Sequence, residues 1–193
     1  MTEDLARTRS LTTSRLEPVF LTLRRNRDFW MRRALPRPGV HMHFGRDPVV
    51  FQYYAGRGLQ VQPLASFGRA NALARSCLSR RPRHICRLAA LRRLLGRMVD
   101  FGAERGGFLA WEHYLRFGGG RAPWISAMTQ GTGAQALARG GRALGEPRFI
   151  TAARRAWRVR GGPADRRRRA SGSRGKSALR HVLLRPLAAH PQR

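Results

Sequence analysis

Lysine is almost missing from this 193-residue chain: of its 39 basic side chains only Lys176 is a lysine, and the others are arginine. Acids are scarce as well, 10 Asp and Glu together, and the formal net charge is +29. Arginine spread through the whole length, beside abundant alanine, glycine and proline, reads as the codon preference of a GC-rich genome. A basic patch built for one partner usually mixes Lys with Arg and clusters on one face. A field of this size still favours polyanions, whether nucleic acid, anionic lipid or an acidic polysaccharide. No nucleic-acid recognition motif is present, so sequence-specific binding to DNA or RNA is not expected.

Long apolar runs are missing too. No stretch of about 18 apolar residues occurs, so no membrane span is expected. The start, MTEDLARTRS, is acidic and lacks an apolar centre, which does not fit a signal peptide, and a cytoplasmic location follows as the expectation. Cys77 and Cys86 have no second pair and no histidine pair at zinc spacing. They are expected to be buried thiols of a cytosolic protein, with no metal and no cofactor. His41, His43 and His113 then read as surface or hydrogen-bonding groups.

What is present is helical periodicity. Residues 1–13 read as a flexible lead-in. Ser14 and Glu17 have the spacing of a capping box, with Pro18 joining the first turn of a helix that ends before PRPG at 36–39. Leu16, Phe20, Leu23 and Trp30 would form its buried face. From Val40 to Gln62, alternation and aromatic residues broken by Gly45, Gly56 and Gly58 predict short strands or an extended loop. A helix is expected from Pro63 to about Ser79, then a turn at RRPRH (80–84). A second helix would carry Ile85, Leu88, Leu95, Met98 and Val99 inward and end at Gly106–Gly107. GGFLAWEHYLRFGGG (106–120) reads as a two-stranded ribbon or a loop lining an opening. It is no phosphate loop, since no Gly-Lys-Ser/Thr follows. Ser126 to Leu144 has an apolar stripe of Ala127, Ala134, Leu137, Ala138 and Leu144. Gly145 suits a left-handed cap and Pro147 the first turn of a last helix bearing Phe149, Ile150, Ala153 and Trp157. An αα-hairpin of this kind cannot bury both stripes alone, so it calls for neighbouring hairpins.

FQYYAGRGLQVQPLASFGRANAL (51–73), PWISAMTQGTGAQAL (123–137) and LGEPRFITAARRA (144–156) together resemble the C-terminal domain of the D-glucuronyl C5-epimerase family. The resemblance spans roughly residues 14–157. It implies a mainly α fold, a partial (α/α) toroid of helical hairpins with short β-ribbon segments, acting on a uronate-containing polysaccharide without a cofactor. Thr129 departs from the family's alanine, and Gly140 and Gly141 replace better helix formers at ~1 kcal/mol each. The family's later helices, with most of its catalytic tyrosines, have no counterpart, since Tyr53, Tyr54 and Tyr114 are all the tyrosines here. With those helices missing, exposed apolar surface is expected on the last helix.

The implied activity, an isomerase reaction, removes the proton beside a carboxylate and returns it from the other face. That needs a base and an acid on opposite sides and cations to hold the carboxylate. Tyr54, Glu112 and Tyr114 are the candidate proton-transfer groups. Tyr53, Arg57, Arg121 and Gln130 are the candidate substrate contacts, the arginines as bidentate holders of carboxylates. Four of these have a plainer reading: Tyr53 and Tyr114 as packing residues, Glu112 as an arginine partner, Gln130 as a cap of its own loop. Two other functions stay open, a non-catalytic domain binding anionic glycans through Arg57, Arg69 and Arg121, and a basic nucleic-acid binder. Residues 158–193 hold 11 basic groups against Asp165 and little pattern, a composition that predicts disorder. Read from the second base of each codon, Trp157–Arg160 can give Gly-Val-Phe-Glu, so a shifted reading frame near Trp157 is a further expectation for this tail.

Overall fold

The computed structural model describes residues 2–31, 34, 36–79, 85–116 and 122–158. The chain divides into Met1–Val159 and Arg160–Arg193, and every described residue lies in the first unit. The RRPRH turn, Arg121 and all of the tail but Arg158 lie outside the described residues. Six helices hold about 57% of what is described, so the chain is mainly α, with short antiparallel strand pairs. Among the described residues no helix is long and apolar enough to cross a membrane.

Within the segment read as a lead-in, Thr2–Arg7 forms helix α1, and its Leu5 is fully buried against Val19 and Tyr114. Helix α2, Thr13–Trp30, corrects two expectations. Thr12 is its N-cap, without a side-chain cap bond, and the capping box is not made. Ser14 Oγ instead accepts from the Glu104 backbone N–H, and Glu17 pairs with Arg97 at 2.7 Å. Pro18 lies beyond the first turn, inside the helix. The buried face is Arg15, Pro18, Val19, Leu21, Thr22 and Phe29, while Phe20 is 58% exposed and Leu23 and Trp30 also face outward.

Polar anchors set that rotation. Arg15 reaches a buried carboxylate, and Asn26 clasps the backbone of Leu59, accepting from its N–H and donating to its C=O at 2.8 Å each. Breaking either would leave buried polar groups unpaired, a larger cost than exposing a few apolar side chains.

Leu59 belongs to a three-stranded antiparallel sheet of β1 (His41–Met42), β2 (Phe51–Tyr54) and β3 (Gly58–Val61), in that order. Gly58 has φ +72°, and a Cβ there would collide with Asn26 Oδ1, so glycine is needed twice over. Helix α3 runs Pro63–Leu78 and α4 Leu88–Asp100. The buried stripe of α4 is Leu91, Leu94, Leu95 and Met98; Ile85 precedes the helix and is 72% exposed, and Leu88 is exposed too. The helix stops earlier than expected. Ala103–Arg105 (β4) and Phe108–Ala110 (β5) form a hairpin with Arg105 opposite Phe108. Gly106 and Gly107 both have positive φ, the conformation of a two-residue primed turn rather than a helix stop.

Cys77 and Cys86 are not free buried thiols. They are joined in a disulfide, and Cys86 is exposed. The packing of α3 on α4 brings the last turn of one beside the start of the other, a proximity that sequence spacing does not reveal.

Glu112–His113 (β6) pairs with Trp124–Ile125 (β7), and the rings of His113 and Trp124 stack at 4.2 Å. Helix α5, Ala127–Leu144, and helix α6, Pro147–Trp157, form the expected hairpin. Ser126 caps α5 by accepting from the Thr129 N–H, Gly145 is left-handed at φ 67°, and Pro147 opens α6. Helix α5 packs against α3, α4 and α6. The exposed apolar surface expected on α6 is not found there: Phe149, Ala152, Ala153 and Ala156 are buried, since α6 also packs on β5.

The glycines of α5 are not defects of helix propensity. A Cβ on Gly140 would meet the Leu95 side chain, and one on Gly141 would meet Ile150, so both let neighbouring elements approach closely. Gly133 is the tightest case for rigid neighbours, with Trp111 and Phe67 ring atoms 2.7–2.9 Å from a built Cβ. Gly133→Ala is expected to destabilise by about 1–3 kcal/mol through overpacking. Gly131, with open space, should gain about 1 kcal/mol as alanine from helix propensity. Urea unfolding of the two variants should move in opposite directions.

Candidate functional site

Two places bring chemistry-bearing side chains together, and they differ in access. The first is internal. Glu112 on β6 has a side chain with no exposed surface. Burial by itself would raise its pKa, but the Arg15 guanidinium grips it with both a 2.6 Å and a 2.9 Å hydrogen bond, and Arg105 donates from the other side. The net result is a carboxyl held below its usual range and ionised.

Beside it, the Tyr114 hydroxyl is buried with no hydrogen bond of normal geometry among the described residues, and burial, reinforced by the nearby Glu112 carboxylate, pushes its pKa up. His113 is also buried, which lowers its pKa, with Nε2 3.4 Å from Thr129 Oγ1. Thr22, Gln60, Trp111, Glu112, His113 and Tyr114 border a cavity of about 20 Å³. That is room for a water molecule and far too little for a sugar ring. A carboxylate neutralised by two guanidinium groups is a weak base, and a phenol kept neutral is a weak acid.

Tyr54 does not line that cavity; it is half-buried on β2, with its hydroxyl accepting from Gln62 Nε2 at 3.0 Å. Burial raises its pKa. Tyr53, its neighbour along the strand, points to the other face and is buried in the core against Trp30. Arg57 is exposed in the β2–β3 turn. Gln130 is buried and its amide is engaged on both sides. Nε2 donates to the carbonyls of Leu109 and Ala156 at 2.6 and 3.1 Å, while Oε1 accepts from the Trp111 N–H at 3.3 Å. It lies within α5 and ties that helix to β5 and α6, so it does not cap a loop of its own. Gln130→Leu should cost about 2–4 kcal/mol, because it strands buried backbone groups at roughly 1–3 kcal/mol each. A thermal melt checks this.

The second place is open. Between the loop of residues 43–48 and helices α3 and α4 lies a cleft of about 670 Å³, within the size range of small-ligand sites. Arg46 from the loop, Arg69 from α3 and Arg93 from α4 all line it, with His43, Leu73 and Leu94. Arg69 is positioned by a 3.2 Å hydrogen bond from Nη1 to the Pro48 carbonyl and lies 3.4 Å from His43 Nδ1. Partial burial, helped by Arg69 and His41, lowers the His43 pKa. Asp47 also borders the cleft, but its carboxylate is nearly buried, 3.3 Å from Arg25 and accepting from the Val49 N–H. Among the described residues Arg46 and Arg93 have no carboxylate partner. The cleft therefore presents three guanidinium groups to solvent with its one acid already neutralised.

Arg69 is among the residues that sequence reasoning singles out, whereas Arg46 and Arg93 are not, nor are Arg15 and Arg105. In a chain with this much arginine, nothing local separates a cation that has a partner from one that lacks it. Among the described residues no group of three or more His, Cys, Asp or Glu is placed to hold a metal ion. Compared with family models, curated proteins and solved structures, the chain matches none.

Proposed function

We propose that this chain is a D-glucuronyl C5-epimerase-like domain that binds an acidic, uronate-containing polysaccharide at the Arg46–Arg69–Arg93 cleft without turning it over. One observation carries the reading: three arginines from three separate elements line a single open cleft whose only carboxylate is paired from behind. Guanidinium groups bind carboxylates bidentately and tolerate partial desolvation better than ammonium groups. The α3–α4 and α5–α6 hairpins support the finer fold reading, a partial (α/α) toroid. Epimerisation through Tyr54, Glu112 and Tyr114 is the second reading, favoured by the adjacency of Glu112 and Tyr114. The ion pairing of Glu112 and the size of the cavity beside it weigh toward binding alone.

The test is titration with an unsulfated glucuronate polymer in deuterated water, followed by calorimetry and by NMR of C5. Binding that weakens steeply with salt, with no deuterium entering C5, is the expected result. Deuterium at C5 would establish the enzyme instead. Equal affinity for a neutral polysaccharide would sink the cleft reading, and displacement of the glycan by duplex DNA at lower concentration would favour a nucleic-acid binder.

A further inference from the structure

The disulfide lies at a place where its chemistry is exposed. Cys77 is in the last turn of α3 and Cys86 stands immediately before Arg87, the N-cap of the 13-residue helix α4. Cys86 is exposed, whereas Cys77 is only partly so. Arg87 makes no side-chain cap, so the first N–H groups of α4 are not satisfied by that residue. Access helps decide which sulfur of a disulfide is attacked, and here it favours Cys86 over Cys77. The same two helices supply Arg69, Leu73, Arg93 and Leu94 to the cleft.

We propose that Cys86 is a thiol–disulfide exchange site, with Cys77 as its resolving partner, whose substrate is a low-molecular-weight thiol of the glutathione class. The thiolate attacks Cys86 Sγ, the Cys77–Cys86 bond breaks, and Cys77 leaves as thiolate, giving a mixed disulfide on Cys86. A second thiol attacks the sulfur of the bound small thiol, releasing the Cys86 thiolate and the small-molecule disulfide. Two electrons pass from two thiols to the protein, and the reverse sequence re-forms the bond. Because the bond ties the end of α3 to the start of α4, its state also controls how firmly the two walls of the cleft are held.

The exchange stands apart from ligand identity; only its effect on binding rests on the cleft reading. The experiment equilibrates the full chain in reduced and oxidised glutathione, with mass spectrometry after alkylation and amide hydrogen exchange on residues 72–79 and 85–92. The expected result is a mixed disulfide mapped to Cys86, reversible reduction, at least 10-fold faster exchange in those segments when reduced, and glycan affinity lowered about 5-fold. Cys77→Ser should trap the mixed disulfide on Cys86. Resistance of the bond to millimolar glutathione, or adducts on Cys77 rather than Cys86, would overturn the exchange site. Unchanged amide exchange on reduction would overturn its coupling to the cleft. If no glycan binds in either state while exchange behaves as stated, the functional reading fails and this one stands.

Discussion

Glu112→Ala is expected to cost about 3 kcal/mol or more of stability, the largest effect of any single substitution considered. The carboxylate neutralises Arg15, whose side chain is only 10% exposed, and removing one member of a buried ion pair leaves an uncompensated charge, typically 3–5 kcal/mol. Arg105 is a third exposed and can turn to water, so Arg105→Ala should cost much less. Glu112→Gln keeps the shape but not the charge and should fall between the two. The pH dependence has a definite sign. A folded-state pKa below the unfolded value of about 4.3 stabilises the fold above that value. That stability is lost as pH falls through the lower folded value. Glu146, drawn down by Arg92 and Arg148, acts in the same direction. The difference between wild type and Glu112→Gln therefore isolates the buried group. Urea unfolding at pH 7 and at pH 3 measures it: the gap between the two proteins should shrink at the lower pH.

How much of this is legible in the sequence depends on how far away the deciding partner lies. The α5–α6 hairpin is legible because Ser126, Gly145 and Pro147 are local signals read over a few residues. The rotation of α2 is not, because Arg15 answers to a carboxylate 97 residues on and Asn26 to a strand 33 residues on. Gly106–Gly107 can end a helix or turn a hairpin, and only the pairing of Arg105 with Phe108 decides. At the candidate site, the sequence singles out Glu112 and Tyr114 for proton transfer and Gln130 for substrate contact. The structure shows Glu112 and Gln130 as buried groups held by their neighbours, and Tyr114 as a buried hydroxyl with no hydrogen bond of normal geometry among the described residues. Of the cleft arginines, Arg46 and Arg93 carry no mark in the sequence. Their distinction is that no carboxylate pairs with them among the described residues, which is a property of the fold.

The second large effect concerns those arginines. Arg46→Glu with Arg93→Glu is expected to weaken binding of a glucuronate polymer at least about 150-fold. Each reversal removes a charge-assisted hydrogen bond of about 1.5–3 kcal/mol and adds repulsion. Neither residue has a carboxylate partner among the described residues, so stability should change by no more than about 0.5 kcal/mol per site. Arg24→Glu, on the exposed side of α2, is the control for net charge and should change affinity about 2-fold. A diffuse polyanion effect would make the three reversals equivalent per charge. A docked ligand makes the cleft pair dominant.

The central claim is that the cleft, not the overall charge, holds an acidic glycan. Backbone amide NMR during titration with a glucuronate oligosaccharide at physiological salt tests it most directly. Saturable shifts confined to residues 43–48, 69–73 and 90–94 are expected. Shifts scattered over arginines on every face, or concentrated at Arg57 with the cleft silent, would contradict it.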